Sequence, residues 1–182
     1  VKGTENIFKI AKEENFKVVY ASSSSVYGNT TIIPIKEEFP RKPINPYGKT
    51  KLEDEFLAEK FSKNNVDVIG LRYFNVYGKG QTGTYAGVIT KCLNKLKENK
   101  LPEIFGDGSQ IRDFVYVEDV ADANLSAMKS NVKSGFFNIG TGKTTSIREL
   151  GNIMIELFGE KLQPVFLDPL KGDVKKSQAD IS

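Results

Sequence analysis

The stretch KVVYASSSSVYG, residues 17–28, decides the fold because it joins a short apolar run to four consecutive serines and a glycine. The β-branched run at Val18 and Val19 is suited to a buried strand. In parallel α/β sheets, ligands bind beyond the carboxyl ends of the strands, where serine hydroxyls can donate or accept hydrogen bonds. Residues 22–25 therefore mark a candidate ligand site, although turn-forming serines at a polar strand exit explain the pattern about equally well.

Helix and strand patterns alternate on both sides of this stretch. Before it, VKGTENIFKIAKEENF predicts an amphipathic helix with Val1, Ile7, Ile10 and Ala11 on one stripe. Residues 28–46 predict a long loop. The other predicted elements are a helix over 46–62 with Leu52, Phe56, Leu57 and Phe61 inward, a strand over 67–74, a helix over 85–98, short strands on either side of Gly106–Gly108, a helix over 118–130, a strand over 135–140, and a helix from a Ser146–Glu149 capping box to Gly159.

Nearly all-apolar strands that alternate with helices predict an α/β fold with a parallel sheet. The stretch after residue 80 is less regular, which predicts a second lobe. The 182 residues are enough for one compact domain or two small lobes.

The composition excludes several classes of protein. The net charge of +3 is not gathered in a block of Lys or Arg, so neither nucleic acid nor a membrane surface is an expected partner. Cys92 is the only cysteine and there is no histidine, which excludes disulfide frameworks, zinc spacings and His-based catalysis. No apolar run approaches ~18 residues and no signal peptide opens the chain, so we expect a cytoplasmic enzyme or binding module. Both ends are abrupt, and we expect a fragment of a longer protein.

Tyr47 and Lys51 lie four residues apart in NPYGKTKLEDEF, residues 45–56, at the start of a predicted helix. Residues with this spacing are neighbours on a helix surface. A tyrosine has a reference pKa of about 10, so it acts as a base near neutral pH only when a nearby cation favours the phenolate. The pair is therefore a candidate for proton transfer, with a chance aromatic–cation pair on a surface helix as the alternative.

Two further stretches place polar groups next to predicted strands. In RYFNVYG, residues 72–78, Asn75 could donate to phosphate or sugar oxygens, or it could simply follow a buried aromatic strand end. In RDFVYVEDVADA, which starts at Arg112, the fork of guanidinium donors suits a phosphate. The alternative for Arg112 is an ion pair with Asp113 or Asp119.

The stretch FFNIGTGKTTS, residues 136–146, resembles a nucleoside-triphosphate phosphate loop, and a P-loop ATPase or GTPase is a rival enzyme class. That motif needs a glycine five residues before Gly142, where this chain has Phe137. The loop is then too short to wrap a diphosphate, which counts against this class.

Taken together, seven segments in the expected order resemble the extended short-chain dehydrogenase/reductases, and among them the NAD-dependent epimerase/dehydratase family that acts on sugar nucleotides. The likeness is greatest to the UDP-glucose 4-epimerase members of that family. Each motif alone is weak, but seven in order are highly specific. The segments are VKGTENI, YASSSSVYG, NPYGKTK, LRYFNVYG, IFGDGSQIRDFVYVEDVADA, FNIGTG and GDVKKSQADIS.

The resemblance implies a Rossmann-like parallel sheet, of which this chain holds the second half, and a smaller substrate-binding lobe. Residues 1–79 are then part of an NAD-binding domain. Residues 80–182 are mainly the substrate lobe, with segments near 112–140 returning to the Rossmann domain. NAD is the implied cofactor, and a nucleotide sugar, most simply a UDP-sugar, is the implied substrate. The implied assembly is a homodimer through helices 1–15 and 46–62.

The resemblance also implies a set of site residues and no metal. Ser23, Tyr47 and Lys51 match the catalytic residues: the tyrosine takes the proton from the sugar 4-hydroxyl, the lysine binds the nicotinamide ribose, and the serine hydrogen-bonds the same sugar oxygen. The implied cofactor contacts are Ala21, Ser22, Ser23, Tyr47, Lys51 and Phe74. The implied substrate contacts are Ser23, Ser24, Ser25, Tyr47, Asn75, Tyr85, Val88, Ile104, Phe105, Arg112 and Ser177.

Departures from the family pattern shape the expected activity. The Gly-x-x-Gly-x-x-Gly turn that holds the cofactor is absent, so we expect the chain by itself to be inactive or cofactor-poor. Ser24 and Ser25 stand where dehydratases carry acids, which favours an epimerase; a dehydratase or decarboxylase, and a non-catalytic nucleotide-sugar-binding module, are the alternatives. Leu170 stands where an arginine is expected, with Lys171 as a possible substitute. Ser177 is small where a tyrosine would exclude N-acetyl groups, so both UDP-glucose and UDP-N-acetylglucosamine are expected substrates.

Overall fold

The computed structural model describes residues 1–81, 87–159, 163–170 and 172–182. Within these ranges helices and strands alternate along the chain. The helices are α1 (Lys2–Glu14), α2 (Pro46–Ser62), α3 (Val88–Lys97), α4 (Val117–Lys129) and α5 (Ile147–Leu157). The strands are β1 (Val18–Ser23), β2 (Val68–Tyr73), β3 (Asn75–Tyr77), β4 (Glu103–Phe105), β5 (Ile111–Arg112), β6 (Phe114–Tyr116), β7 (Ser134–Ile139), β8 (Thr145–Ser146) and β9 (Val165–Leu167).

Strands β1, β2 and β7 form a parallel sheet with β2 in the centre. Helices α2 and α4 both pack against β1 and β2, and β2 is buried almost from end to end. A strand in such a sheet needs an apolar sequence, which explains the run that predicted it. The carboxyl ends of the three strands lie at one edge, where Ser23, Tyr73 and Ile139 are in register. The predicted α/β fold with a parallel sheet is confirmed.

Helix α1 packs on the core through Phe8 and Ala11. Of the predicted stripe, Ala11 is buried, whereas Val1, Ile7 and Ile10 are 45%, 49% and 47% exposed. Consecutive residues of an α-helix are rotated by about 100°, so turning Phe8 into the core turns Ile7 toward the surface. The other buried members of this core cluster are Ala58, Val66 and Val68.

Helix α2 has the predicted bounds because its start is specified locally. Asn45 Oδ1 accepts a hydrogen bond from the Gly48 N–H at 2.7 Å, which satisfies one of the free donors of the first turn. Pro46 follows Asn45 at the first helical position, where a missing N–H costs nothing. The cap and the proline together explain why the helix begins at residue 46.

The inner face of α2 differs from the prediction. Phe56 was expected inside but is 51% exposed, and the guanidinium of Arg41 lies 5.0 Å from the centre of its ring. Leu52, Leu57 and Phe61 are half-buried. The residues of α2 that are buried are either small or acidic, namely Gly48, Asp54, Glu55 and Ala58.

The short strands after residue 74 pair with strands that are distant in sequence. β3 pairs with β6 and β4 pairs with β9, both in parallel, and β5 pairs with β8 in the antiparallel sense. The predicted strands on either side of Gly106–Gly108 therefore exist, but they join different partners. Gly106 and Gly108 have φ values of 73° and 72°, in the left-handed region that favours glycine, and they let the two strands diverge.

Helices α3 and α5 pack together around a second core cluster. The start of α5 is confirmed, because Ser146 Oγ accepts a hydrogen bond from the Glu149 N–H at 3.1 Å. The helix ends just before Gly159, as predicted. The described part of α3 begins at Val88, inside the predicted range of 85–98. The buried members of this cluster are Cys92, Leu96, Leu150, Met154 and Ile155.

Over the residues that the structure describes, none of the helices combines the length and the hydrophobicity needed to cross a membrane.

Candidate active site

A cleft of about 280 Å³ opens beyond the carboxyl ends of β1 and β2. This is the position where parallel sheets bind ligands. The cleft gathers segments that are far apart in the chain: the serines after β1, the residues after β2, the end of β5 and residues 172–177. The predicted site residues that line it are Ser23, Ser24, Ser25, Phe74, Asn75, Arg112 and Ser177.

The serine segment turns into a 3₁₀ helix, Ser24–Tyr27, that Ser23 caps. Ser23 Oγ accepts hydrogen bonds from the Ser25 N–H at 3.2 Å and from the Ser25 hydroxyl at 2.9 Å. A serine hydroxyl has one proton and two lone pairs, so Ser23 retains its own proton for donation to a ligand oxygen.

The first turn of α2 rests directly on the serine segment. A Cβ atom at Gly48 would come within 2.7 Å of the Ser25 carbonyl oxygen, so the close approach requires glycine. Tyr47 is the neighbour of Gly48 and is 56% exposed, which leaves its side chain accessible to a ligand. The tyrosine is thereby brought alongside the serines, 24 residues after Ser23 in the chain.

Tyr47 and Lys51 share one face of α2, as their spacing predicts. Lys51 Nζ lies 5.7 Å from the centre of the Tyr47 ring. The same ammonium donates a hydrogen bond to the Ala21 carbonyl oxygen at 2.8 Å. Lys51 and Ala21 also line a second cleft of about 360 Å³, which lies between α1 and β1. Lys51 therefore connects the tyrosine to the strand that carries Ser23.

Arg112 brings a positive charge into the first cleft. Its Nη2 lies 2.7 Å from Asp173 Oδ1, and only 12% of its side chain is exposed. Burial lowers the pKa of Arg112, and the charge and hydrogen bond of Asp173 act in the opposite direction. The ion-pair alternative for Arg112 was right in kind and wrong in partner, because the carboxylate is that of Asp173 and not of Asp113 or Asp119.

Asp113 holds the loop that follows β7. It is fully buried and accepts hydrogen bonds from the Thr141 N–H and hydroxyl, both at 2.8 Å, and from the Gly142 N–H at 2.9 Å. The Ala179 N–H adds a fourth at 3.0 Å. The amides that a phosphate loop would offer to a nucleotide are thus bound to Asp113, so the rival interpretation of GTGKTT does not fit the structure.

Some predicted contacts lie elsewhere. Ser22 turns its hydroxyl away from the cleft and donates to Glu55 at 2.6 Å. Ile104 is 1% exposed, so it offers almost no surface to a ligand. Val88 packs against the cluster between α3 and α5, while Phe105 lines a neighbouring cleft of about 510 Å³ together with Asp173. Tyr85 and Lys171 fall outside the described residues.

Sequence reasoning missed Glu55 and Arg72, which form a buried ion pair behind Ser23 and Lys51. One signal was present in the sequence. Arg72 interrupts an otherwise apolar strand, and a charged side chain in a buried strand has to be paired. The sequence did not reveal which carboxylate pairs with it.

Comparison with known proteins identifies the family of this chain. Residues 1–140 match the NAD dependent epimerase/dehydratase family. The chain is 40% identical over 185 residues to a putative UDP-glucose 4-epimerase of Methanocaldococcus jannaschii, and the match covers 100% of this chain and 60% of that protein.

Two solved structures have the same fold. The UDP-N-acetylglucosamine 4-epimerase from Methanobrevibacter ruminantium, in complex with UDP-N-acetylmuramic acid, superimposes with a TM-score of 0.95 at 35% identity over 100% of this chain and 60% of that one. The UDP-glucuronic acid 4-epimerase from Bacillus cereus, in complex with UDP-glucuronic acid and NAD, gives 0.89 at 31% identity over 98% and 57%.

The chain spans about 60% of the length of the relatives that it matches. The family match covers most of the described sheet and the whole Ser23–Tyr47–Lys51 constellation. The resemblance predicted from the sequence is confirmed, and the chain belongs to the NAD dependent epimerase/dehydratase family.

Proposed function

We propose that this chain is the catalytic and substrate-binding part of an NAD-dependent nucleotide-sugar 4-epimerase that acts on UDP-glucose and UDP-N-acetylglucosamine through a 4-keto intermediate. The observation that carries the proposal is the placement of Tyr47 and Lys51 beside the serines at the end of β1. The 4-epimerase names of the relatives support it.

The residues around Lys51 suit a dinucleotide. The ammonium is a donor for ribose hydroxyls, and the cleft between α1 and β1 offers a mainly apolar wall beside it. Ala21 is exposed there on β1, and Phe74 lines the adjoining cleft. When bound, NAD supplies acceptance and return of hydride at the sugar C4.

The chain's own residues move and hold the proton. Tyr47 takes the proton of the sugar 4-hydroxyl, and the Lys51 ammonium, 5.7 Å from the centre of its ring, is the cation one turn further along the helix. Ser23 donates a hydrogen bond from its hydroxyl to the same sugar oxygen. This bond holds the oxygen in place before and after the sugar turns over.

Arg112 and Asn75 supply the diphosphate contacts. The guanidinium fork matches phosphate oxygens, and its partial burial strengthens the attraction. Asp173 neutralises Arg112 in the structure, so a diphosphate competes with that carboxylate for the cation. Binding of the diphosphate to both residues needs no rearrangement of the backbone, because Arg112 and Asn75 already line one cleft.

The same geometry disfavours a dehydratase. Ser24 and Ser25 line the cleft where elimination of water needs a general acid, and neither hydroxyl is suited to that task near neutral pH. The other alternative, a non-catalytic nucleotide-sugar-binding module, predicts that the protein binds the nucleotide sugar without converting it.

The exposed apolar residues of α1 and α2 support a homodimer. Ile7, Ile10 and Phe56 are each about half exposed, on two helices that pack together. A second copy that covered them would remove this surface from water. Light scattering on the complete gene product, with Ile10→Lys as the disrupting variant, tests the assembly.

The activity is tested by assaying the complete gene product that contains this chain. UDP-galactose formation from UDP-glucose is measured by a coupled assay, together with the conversion of UDP-N-acetylglucosamine. Turnover of either substrate supports the proposal. Tight UDP-sugar binding without any 4-epimerisation would replace it with the binding module.

A further inference from the structure

A row of polar side chains crosses the sheet one position before its carboxyl edge. Ser22, Arg72 and Asn138 are in register on β1, β2 and β7. They are 1%, 2% and 8% exposed, in a sheet whose other central residues are apolar. Side chains alternate between the faces of a strand, so Ser22 points to the face opposite that of Ser23. The row therefore lies directly behind the candidate site.

Glu55 of α2 meets this row and is fully buried. Its Oε1 accepts from Ser22 Oγ at 2.6 Å and from Arg72 Nε at 2.8 Å. Its Oε2 accepts from Arg72 Nη2 at 2.8 Å and from Arg41 Nη1 at 3.0 Å. The pairing with Arg72 is bidentate, which fixes both the distance and the angle between α2 and β2.

Arg72 extends the network across the same face of the sheet toward β7. Its Nη1 donates to the Tyr27 hydroxyl and to the Glu37 carbonyl oxygen, both at 2.7 Å. Tyr27 in turn donates to Asn138 Oδ1 at 2.7 Å. The network thus joins α2, the 3₁₀ helix and all three strands of the parallel sheet.

The pair stays ionised. Burial raises the pKa of the Glu55 carboxyl, but the bonds and charge of Arg72, with the bonds from Ser22 and Arg41, lower it below its ordinary value. Burial lowers the pKa of Arg72, and the bonds and charges of Glu55 and Tyr27 more than reverse this. Removing one partner leaves an uncompensated buried charge.

Helix α2 buries no large apolar side chain fully, since its buried residues are two small and two acidic ones. Leu52, Leu57 and Phe61 are half-buried against two core clusters. Asp54, the other buried acid, has no hydrogen-bond partner for Oδ1 among the described residues. Glu55 therefore makes the most side-chain hydrogen bonds from α2 to the sheet among the described residues.

Glu55 lies on the same helix face as the candidate catalytic pair. Tyr47, Lys51 and Glu55 are spaced by four residues each, so a shift of Glu55 along or around the helix moves all three together. Ser22, which Glu55 also holds, is the immediate neighbour of Ser23. The Glu55 carboxylate thus links the strand that carries Ser23 to the helix that carries Tyr47.

We propose that Glu55, clamped by Arg72, is a positioning residue that sets the placement of Tyr47 and Lys51 relative to Ser23. This inference rests on the proposed function, and it assigns no contact with substrate or cofactor to Glu55.

The test compares variants of the complete gene product. Glu55→Gln removes the charge, and Arg72→Lys keeps a charge while losing the bidentate fork. Ser22→Ala is a milder change that removes a single bond to Glu55. The matched control is Glu59→Gln, one turn further along α2, where a partly exposed carboxylate pairs with Arg41 at 2.8 Å.

We expect Glu55→Gln and Arg72→Lys to lower kcat on the order of 10- to 100-fold, because a small displacement of catalytic groups has effects of that size. KM changes by less than about threefold, because Glu55 itself contacts no substrate. Ser22→Ala lowers kcat by a smaller factor, and Glu59→Gln leaves it near the wild-type value.

Two measurements separate positioning from a loss of stability. In a Lys51→Met background, Glu55→Gln should lower kcat by a clearly smaller factor than in the wild type, because one of the two groups that it positions is already gone. Amide hydrogen exchange should rise over residues 46–52 in Glu55→Gln and stay unchanged in α4. A merely structural role predicts additive losses and exchange that rises throughout.

The inference is overturned if Glu55→Gln, folded at the assay temperature, keeps kcat within about twofold of wild type. It also fails if its loss is fully additive with that of Lys51→Met. Failure of the proposed function is a different result, since the wild-type protein would then turn over no nucleotide sugar. The exchange measurement still decides in that case: unchanged exchange over residues 46–52 overturns the positioning role, and a local rise supports it.

Discussion

Lys51 and Ala21 are joined by a hydrogen bond of 2.8 Å between the lysine ammonium and the alanine carbonyl oxygen. The bond ties the second turn of α2 to β1 two residues before Ser23. An ammonium has three donors, so this contact leaves two for a ligand hydroxyl and for the Tyr47 oxygen. The candidate catalytic groups of two distant segments are therefore already assembled by the fold.

Tyr47→Phe should abolish 4-epimerase turnover and leave the fold intact. The side chain is 56% exposed and no hydrogen bond to its hydroxyl is recorded among the described residues, so its loss removes the proton acceptor and little packing. A coupled assay and a thermal melt, run side by side, give the result. A rate near that of wild type would remove Tyr47 from the proton-transfer role.

Arg112→Gln should raise the KM for UDP-sugars by about 10- to 100-fold, the range expected for the loss of charge-assisted hydrogen bonds. The effect on kcat should be smaller, because the role proposed for Arg112 is to bind the diphosphate and not the reacting carbon. The control is Lys143→Gln, which removes an exposed cation outside the cleft. Equal effects of the two changes would point to general electrostatics.

Ser177→Tyr should reduce kcat/KM for UDP-N-acetylglucosamine selectively. Ser177 is 7% exposed and lines the first cleft, so a larger side chain there takes up space inside the site. A close-packed wall does not absorb both a phenol ring and an N-acetyl group. The ratio of kcat/KM for the two UDP-sugars is the measurement, and an unchanged ratio would remove Ser177 from the sugar subsite.

Asp113→Asn should destabilise the protein by about 2–4 kcal/mol, because an amide cannot accept from all four donors that the buried carboxylate satisfies. Urea unfolding measures the change in midpoint at constant slope. Asp107→Asn is the matched control, since Asp107 is exposed and its carboxylate accepts bonds only from Ser109 among the described residues. A loss no greater than that of the control would contradict the role of Asp113.

The pairing of Glu55 predicts a dependence of stability on pH. Its folded-state pKa lies below the ordinary value of 4.5, so the pairing stabilises the fold fully above about pH 4.5 and the contribution is lost as the pH falls through the folded pKa. The difference in urea midpoint between wild type and Glu55→Gln should therefore shrink below about pH 4.5. A difference that is constant from neutral to acid pH would exclude this linkage.

Local signals predicted the elements of this fold well. Asn45 and Pro46 specify the start of α2, and Ser146 with Glu149 specifies the start of α5, because caps are made by residues close in sequence. The β-branched run at Val18 predicted the first strand of the sheet in the same way.

Long-range pairings could not be predicted from the sequence. Glu55 is buried only because Arg72, on another element, meets it, and the short strands beside Gly106 find partners more than 30 residues away. The same holds for the site. The spacing of Tyr47 and Lys51 predicted their contact, whereas the pairing of Arg112 with Asp173 depends on a segment 61 residues further along.

The contacts of Asp113 also define the minimal unit that can carry a working cleft. The Ala179 N–H donates to Asp113, and the backbones of Gln178 and Asp180 each bond to the backbone of Ile35. Trimming the chain before residue 179 would free one end of the wall formed by Gly172–Ser177 and leave a buried carboxylate short of a donor. Shortened versions for crystallisation or variant libraries should therefore retain residues up to at least 180.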